Sequence, residues 1–170
     1  MEIVPPHEVE ALCDFYNSTN GKDWNWDGPD GHWNCTHAGA NPYTEQWQGL
    51  DYDRYGNNIE HVTYISLDMF NLRGTIPPSL ATLTYLIDFD VETNYLTGTI
   101  PSTFGNLSYL EYIYVGENQL SGVIPDSFGN LTSLLGLLLY DNAITGTLPA
   151  SLFRLPLLSE ISLGVNSIEG

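Results

Sequence analysis

The sequence predicts an α/β repeat, a solenoid of stacked short-strand units behind a helical and hairpin N-terminal cap. Three observations carry that prediction. A 24-residue unit recurs along the chain, opening at Val62, Leu86, Leu110, Leu134 and Leu158. Within each unit apolar residues alternate (Ile65 and Leu67, Phe89 and Val91, Ile113 and Val115), which is the period of a half-buried strand. A Gly-x-Ile/Leu-Pro step follows each strand, at Gly74–Pro77, Gly98–Pro101, Gly122–Pro125 and Gly146–Pro149. Glycine permits the turn out of the strand, and proline fixes φ where no amide donor is needed. So short a unit cannot bury its own apolar edge, so stacked neighbours must supply the core.

Four complete copies and the first half of a fifth are present in 62–170. A fixed period of this size with leucines at these offsets marks a leucine-rich repeat. The motif L-x-x-L-x-L-x-x-N-x-L-x-G-x-I-P-x-x-L-x-x-L resembles the plant-type leucine-rich-repeat family over all of 62–170. That resemblance implies a right-handed solenoid with one short strand per repeat, the strands lying parallel on a concave face. One polar column is expected inside it. Asn94, Asn118, Asn142 and Asn166 recur at the ninth position, where a buried amide is tolerable only if it hydrogen-bonds the turn backbone. The first repeat has Phe70 there and Asn71 beside it, which reads as adaptation to the cap.

Residues 1–61 form the expected cap and 62–170 the solenoid. Val9, Leu12, Phe15 and Tyr16 share one face of a short helix, and Asn20-Gly21 stops it. Trp24, Trp26, Trp33 and Trp47 follow, resembling the tryptophan-rich cap that precedes plant-type repeats. They read as packing, with a sugar-binding platform as the sharper alternative. Leu50–Tyr55, a turn at 56–58 and His61–Leu67 read as a hairpin leading into the ladder. Caps of this family usually carry a cysteine pair around a Trp-x-Gly-Val segment, and here Asp51 stands near the place of its second member. Cys13 and Cys35 are the only cysteines. They read as a disulfide between helix and tryptophan loop or as two buried thiols, since sequence gives no distance.

Composition narrows the partners. The formal net charge is −17, from 21 acidic and 4 basic residues. Nucleic acid is excluded, because phosphate binding needs clustered Lys and Arg. Docking to anionic membrane is disfavoured for the same reason, and no stretch is apolar enough to insert in a bilayer. Proteins or peptides (basic ones especially), cations and glycans remain. The start of the chain lacks the apolar core of a signal peptide. The last repeat stops without a polar cap, so the expectation is an N-terminal part of a longer protein.

The candidate site is the concave face. Side chains at the second, third, fifth, seventh and eighth repeat positions point away from the core. Of ten acidic residues in 62–170, eight fall there: Asp68, Asp88, Asp90, Glu92, Glu111, Glu117, Asp141 and Glu160. Tyr64, Tyr112, Tyr114 and Tyr140 are interleaved, a residue type that anchors interfaces. A solvated acidic face is the plain alternative, but solubility does not require tyrosines. Such an open face is not expected to raise a carboxyl pKa, which takes burial.

Other motifs are weaker. Asp23–Gly28 matches the first half of a calcium loop, but Asn34 stands where its bidentate Glu belongs. Asp51-Tyr52-Asp53 reads as hairpin-turn chemistry. His32, Cys35 and His37 lack an evident fourth zinc ligand. Asn17, Asn34, Asn106 and Asn130 head glycosylation sequons, the last two at one repeat position off the concave face. No nucleophile elbow, P-loop or dinucleotide fingerprint appears, and no cofactor or metal is implied. The expectation is a non-catalytic extracellular module, in the secretory pathway, that binds a protein or peptide. The resemblance implies receptor ectodomains or secreted inhibitors of wall-degrading enzymes. The alternatives are a structural subunit of a larger assembly and a surface binding cations or glycans.

Overall fold

A computed structural model describes residues 4–28, 30–36, 40–55 and 59–169, with the backbone alone at 54 and 55. Two short α-helices, α1 (Pro6–Ser18) and α2 (Pro42–Glu45), precede the strands. The strands are β1 (Leu50–Tyr55), β2 (Ile59–Ser66), β3 (Arg73–Thr75), β4 (Asp88–Asp90), β5 (Tyr95–Thr97), β6 (Tyr112–Tyr114), β7 (Ser121–Gly122), β8 (Gly136–Leu138), β9 (Ala143–Thr147), β10 (Glu160–Ser162) and β11 (Ser167–Glu169). The main sheet has the order β1-β2-β4-β6-β8-β10. Its β1–β2 pair is antiparallel, and each later strand adds in parallel. A second set, β3-β5 and β7-β9-β11, runs beside it, joined by a bridge between Thr99 and Ser121.

The repeat leucines stack in columns between these layers. Val62, Leu86, Leu110 and Leu134 are buried, as are Ile65, Phe89, Ile113 and Leu137, and Leu80, Phe104, Phe128 and Leu152. In the fifth repeat Leu158, Leu163 and Ile168 are half-buried and Ile161 and Val165 exposed.

The asparagine ladder locks one repeat to the next. Asn118 Oδ1 accepts from the Leu96 amide, while Nδ2 donates to the carbonyls of Val91, Val115 and Gly116. Asn94, Asn142 and Asn166 repeat this pattern. The residue before each is left-handed, at φ 53° for Thr93, 51° for Glu117, 50° for Asp141 and 54° for Val165. That conformation is strained for β-branched Thr93. Two amides bonded to the next repeat hold it, Thr93 N–H to Gly116 O and Asn94 N–H to Glu117 O. In the first repeat Asn71 instead donates to Asp23 O of the cap, and the Phe70 ring packs edge-on to Trp26.

In the cap, α1 buries Leu12 and Phe15, with Val9 and Tyr16 half-buried. Asn20 turns left-handed at φ 59° just past its end. Trp24, Trp33 and Trp47 are buried and Trp26 half-buried in one continuous ring network. Packing therefore accounts for them. Cys13 and Cys35 form a disulfide tying α1 to the tryptophan loop. The first strand of the ladder is anchored by Glu8. Its fully buried carboxylate accepts from the Val62 amide at 3.0 Å and pairs with His61 Nδ1 at 2.5 Å.

Outside the candidate face the structure changes one reading and details two others. Asp51–Asp53 lie within β1, with a register shift at Asp51/Tyr52, and not in the turn; residues 56–58 of that turn are outside the described residues. Cys35 is consumed by the disulfide and so offers no thiolate to the His32 cluster, whose His37 also lies outside the described residues. The Asp23–Gly28 stretch is a loop pinned by Gln48, which accepts from Asp27 N–H and donates to the carbonyls of Asp27 and Asp30.

Candidate recognition face

Parallel pairing in register turns the repeat sequence into rows across the main sheet. One row reads Tyr64, Asp88, Tyr112, Gly136, Glu160, and the next Ser66, Asp90, Tyr114, Leu138, Ser162. Just beyond the strand ends come Asp68, Glu92, Gly116, Tyr140 and Gly164 at the seventh position, then Glu117 and Asp141 at the left-handed eighth. Tyr64, Asp68, Glu117, Asp141 and Glu160 are exposed; Asp88, Asp90, Glu92, Glu111, Tyr112, Tyr114 and Tyr140 are half-buried. The face thus grades from a carboxylate-rich first half to a glycine- and leucine-bearing second half.

Two glycines, not singled out in the sequence reading, shape the middle. A Cβ on Gly116 would meet Tyr140 Cε1 at 2.5 Å and Glu92 Oε1 at 2.9 Å, and one on Gly136 would meet Tyr112 Cδ1 at 3.0 Å. The rings of Tyr112 and Tyr140 therefore lean into space that only glycine leaves open. A glycine inside a strand pattern is the signal that could have shown this, because it marks close approach of another group. The Tyr112 and Tyr114 rings lie 5.5 Å apart.

The half-burial of Asp88, Asp90 and Glu92 corrects the expectation that the face is too open to shift a carboxyl. Burial, then the neighbouring charges of Asp90 and Glu111, raises Asp88 from 3.8 to about 6. Asp90 is raised by burial, against the pull of the Glu92 amide that it accepts at 3.0 Å. Glu92 is raised by burial and by Asp90, with the Tyr140 hydroxyl pulling it back by hydrogen bonding. Burial and the same carboxylates also raise the Tyr114 and Tyr140 hydroxyls. Asp68, Glu111 and Glu117 enter these couplings, so six acids act as one electrostatic group. Asp88 Oδ1 and Glu92 Oε1 are sealed from solvent without a hydrogen-bond donor. Among the described residues no basic side chain pairs with this group. Arg73 lies over the Tyr95 ring of the second sheet, Lys22 is in the cap and Arg154 in the last 3-10 turn.

The sequons divide by place. Asn106 and Asn130 are exposed at the ends of matching 3-10 turns. Asn17 lies within α1, and Asn34 accepts from the amide and hydroxyl of Thr36.

Residues 84–144 match the family model described as leucine rich repeat. That segment carries leucine-rich repeats, and the whole chain, cap included, has the fold of plant leucine-rich-repeat ectodomains. Plant receptor ectodomains are among its structural relatives. A chain of the BIR3–SERK2 complex from Arabidopsis thaliana is 27% identical at a TM-score of 0.73, covering 95% of this chain and 83% of that one. The Arabidopsis thaliana BIR2 ectodomain is 26% identical at 0.75, covering 96% and 82%. The plant peptide hormone receptor RGFR1, in complex with RGF2, is 33% identical at 0.55 but covers 55% of this chain and 15% of its own. A search of curated proteins gives no significant match. Among the described residues no helix is long and apolar enough to cross a membrane.

Proposed function

We propose that this chain is a non-catalytic, extracellular recognition module that binds a protein or peptide on its acidic, tyrosine-bearing concave face. The observation that carries the reading is a regular sheet surface on which six coupled carboxylates lie beside Tyr112, Tyr114 and Tyr140 with no basic partner among the described residues. Tyrosines supply contact area at low entropic cost, and unpaired charges speed encounter with a complementary partner. The related structures support it: one is a chain of the BIR3–SERK2 complex and another a peptide hormone receptor in complex with RGF2. A disulfide suits an oxidising compartment. The raised carboxyls do not argue for catalysis. All three move in the same direction, whereas acid–base chemistry needs neighbours pushed apart.

The test is selection from a phage-displayed dodecapeptide library against the folded chain, followed by affinity measurement with synthetic peptides. Ser66→Trp supplies the block, since Ser66 is exposed and in register with Asp90. Selected peptides should lose about tenfold or more in affinity for the blocked chain. Peptides that bind both chains equally would place recognition elsewhere.

A further inference from the structure

Deepening the concave-face reading and resting on it, we propose that the partner is a peptide segment that places an arginine guanidinium among Asp88, Asp90 and Glu92, beside the rings of Tyr112, Tyr114 and Tyr140. The acids alone would not define a ligand. Two further features do.

The first is an unmet demand for donors. Asp88 Oδ1 and Glu92 Oε1 are out of contact with water and accept no hydrogen bond. A buried acceptor left unpaired costs about 1–3 kcal/mol, more when charged. Asp90 Oδ1 already takes the Glu92 amide and the Tyr140 hydroxyl hydrogen-bonds the Glu92 carboxyl, which still leaves Asp88 Oδ1 and Glu92 Oε1 without a donor. A guanidinium brings five N–H groups in a planar fork, enough to reach more than one carboxylate at once.

The second is the aromatic border. Gly116 and Gly136 leave room for the Tyr140 and Tyr112 rings beside the acids, and Glu92 Oε1 and the Tyr140 ring crowd the same spot over Gly116. Guanidinium is weakly hydrated and stacks on aromatic faces, whereas an ammonium is a compact and strongly hydrated charge. A site that pairs carboxylates with ring faces therefore fits arginine better than lysine. The rows beyond, carrying Gly136, Leu138, Ser162 and Gly164, suit small or apolar residues next to that arginine.

The experiment uses the selected dodecapeptides and fluorescence anisotropy. Arginine should be enriched at one position of the peptides that Ser66→Trp displaces. Replacing it by lysine should weaken binding about fivefold or more, and the Asp90→Asn/Glu92→Gln chain should lose about tenfold. Asp126→Asn/Glu169→Gln, which removes the same charge away from this face, should change affinity less than about twofold at 150 mM salt, where distant charges are screened. Three outcomes overturn the proposal. Peptides blocked by Ser66→Trp but lacking arginine would leave the recognition face standing and remove its cation specificity. Equal binding of the lysine peptide would do the same to the guanidinium. Equal losses in the two charge-reduced chains would assign the attraction to net charge. Peptides indifferent to Ser66→Trp would instead defeat the concave-face reading itself.

Discussion

Asp88 offers a direct test of whether the concave face is strained electrostatically. Its carboxyl is raised from 3.8 to about 6, by burial first and by Asp90 and Glu111 next. A folded-state value above the unfolded one means that the native state holds the proton more tightly. Stability is then fully present below 3.8 and is lost as pH rises through about 6. The shift corresponds to at most about 3 kcal/mol. Asp88 keeps contact with water, and screening reduces that ceiling to about 1 kcal/mol. Asp88→Asn keeps the shape and removes the charge, so it should stabilise the chain by about 1 kcal/mol at pH 7.5. For a domain of this size that is about 2–4 °C in Tm. At pH 4 the gain should fall to near zero, because the native carboxyl is then protonated. Urea denaturation of both chains at the two pH values measures this. A variant less stable at pH 7.5, or equally shifted at both, would refute the reasoning.

The remaining predictions concern the scaffold and its surface. Asn118→Ala removes four hydrogen bonds, two to the preceding repeat and two within its own turn, and should cost about 2–4 kcal/mol in urea denaturation; a loss under about 1 kcal/mol would mean that water replaces them. Glu8→Leu removes the carboxylate that accepts from the Val62 amide, and should cost about 1–3 kcal/mol with faster hydrogen exchange at that amide. Serine at both Cys13 and Cys35 opens a closure spanning 22 residues and should lower stability by about 3 kcal/mol, read as a drop in Tm that reductant does not deepen. In a secretory host, Asn106 and Asn130 should carry glycans, and Asn106→Gln/Asn130→Gln should lower the intact mass by both; an unchanged mass would put the sugars at Asn17 or Asn34.

What was legible in the sequence was what repeats. A side chain that recurs every 24 residues meets its own kind in the next unit, so the core columns, the Asn94–Asn166 ladder and the concave rows could be placed without coordinates. The twelve candidate acids and tyrosines follow from the same register. What could not be read lies where the pattern is broken once. Glu8 and His61 are 53 residues apart and belong to no period. Helix α2, capped by Asn41 accepting from the Tyr43 and Thr44 amides, is too short to show periodicity. Gly116 and Gly136 look like lapses in the strand pattern until the rings above them are seen. The misjudged openness of the face came from the same place: Glu92 Oε1 and the Tyr140 ring, two repeats on, meet over Gly116, which alternation along one strand does not reveal.

The solenoid explains how such a face can persist. Each repeat is held by contacts with its immediate neighbours, so local terms add along the stack. The Asn118 bonds and the buried Phe104 and Phe128 lie away from the strand surface carrying the acids. Crowding Asp88, Asp90 and Glu92 therefore weakens the repeats locally without touching what joins them. The crowding is also not needed for solubility, since the exposed Asp68, Glu117 and Asp141 would serve that purpose at little cost. Half-buried acids on a face that also carries tyrosines make sense as groups held ready for a partner, because a cation arriving there gains both the charge and the unmet acceptors. Removing Asp88's charge should then stabilise the free chain and weaken the complex, two opposite signs from one substitution.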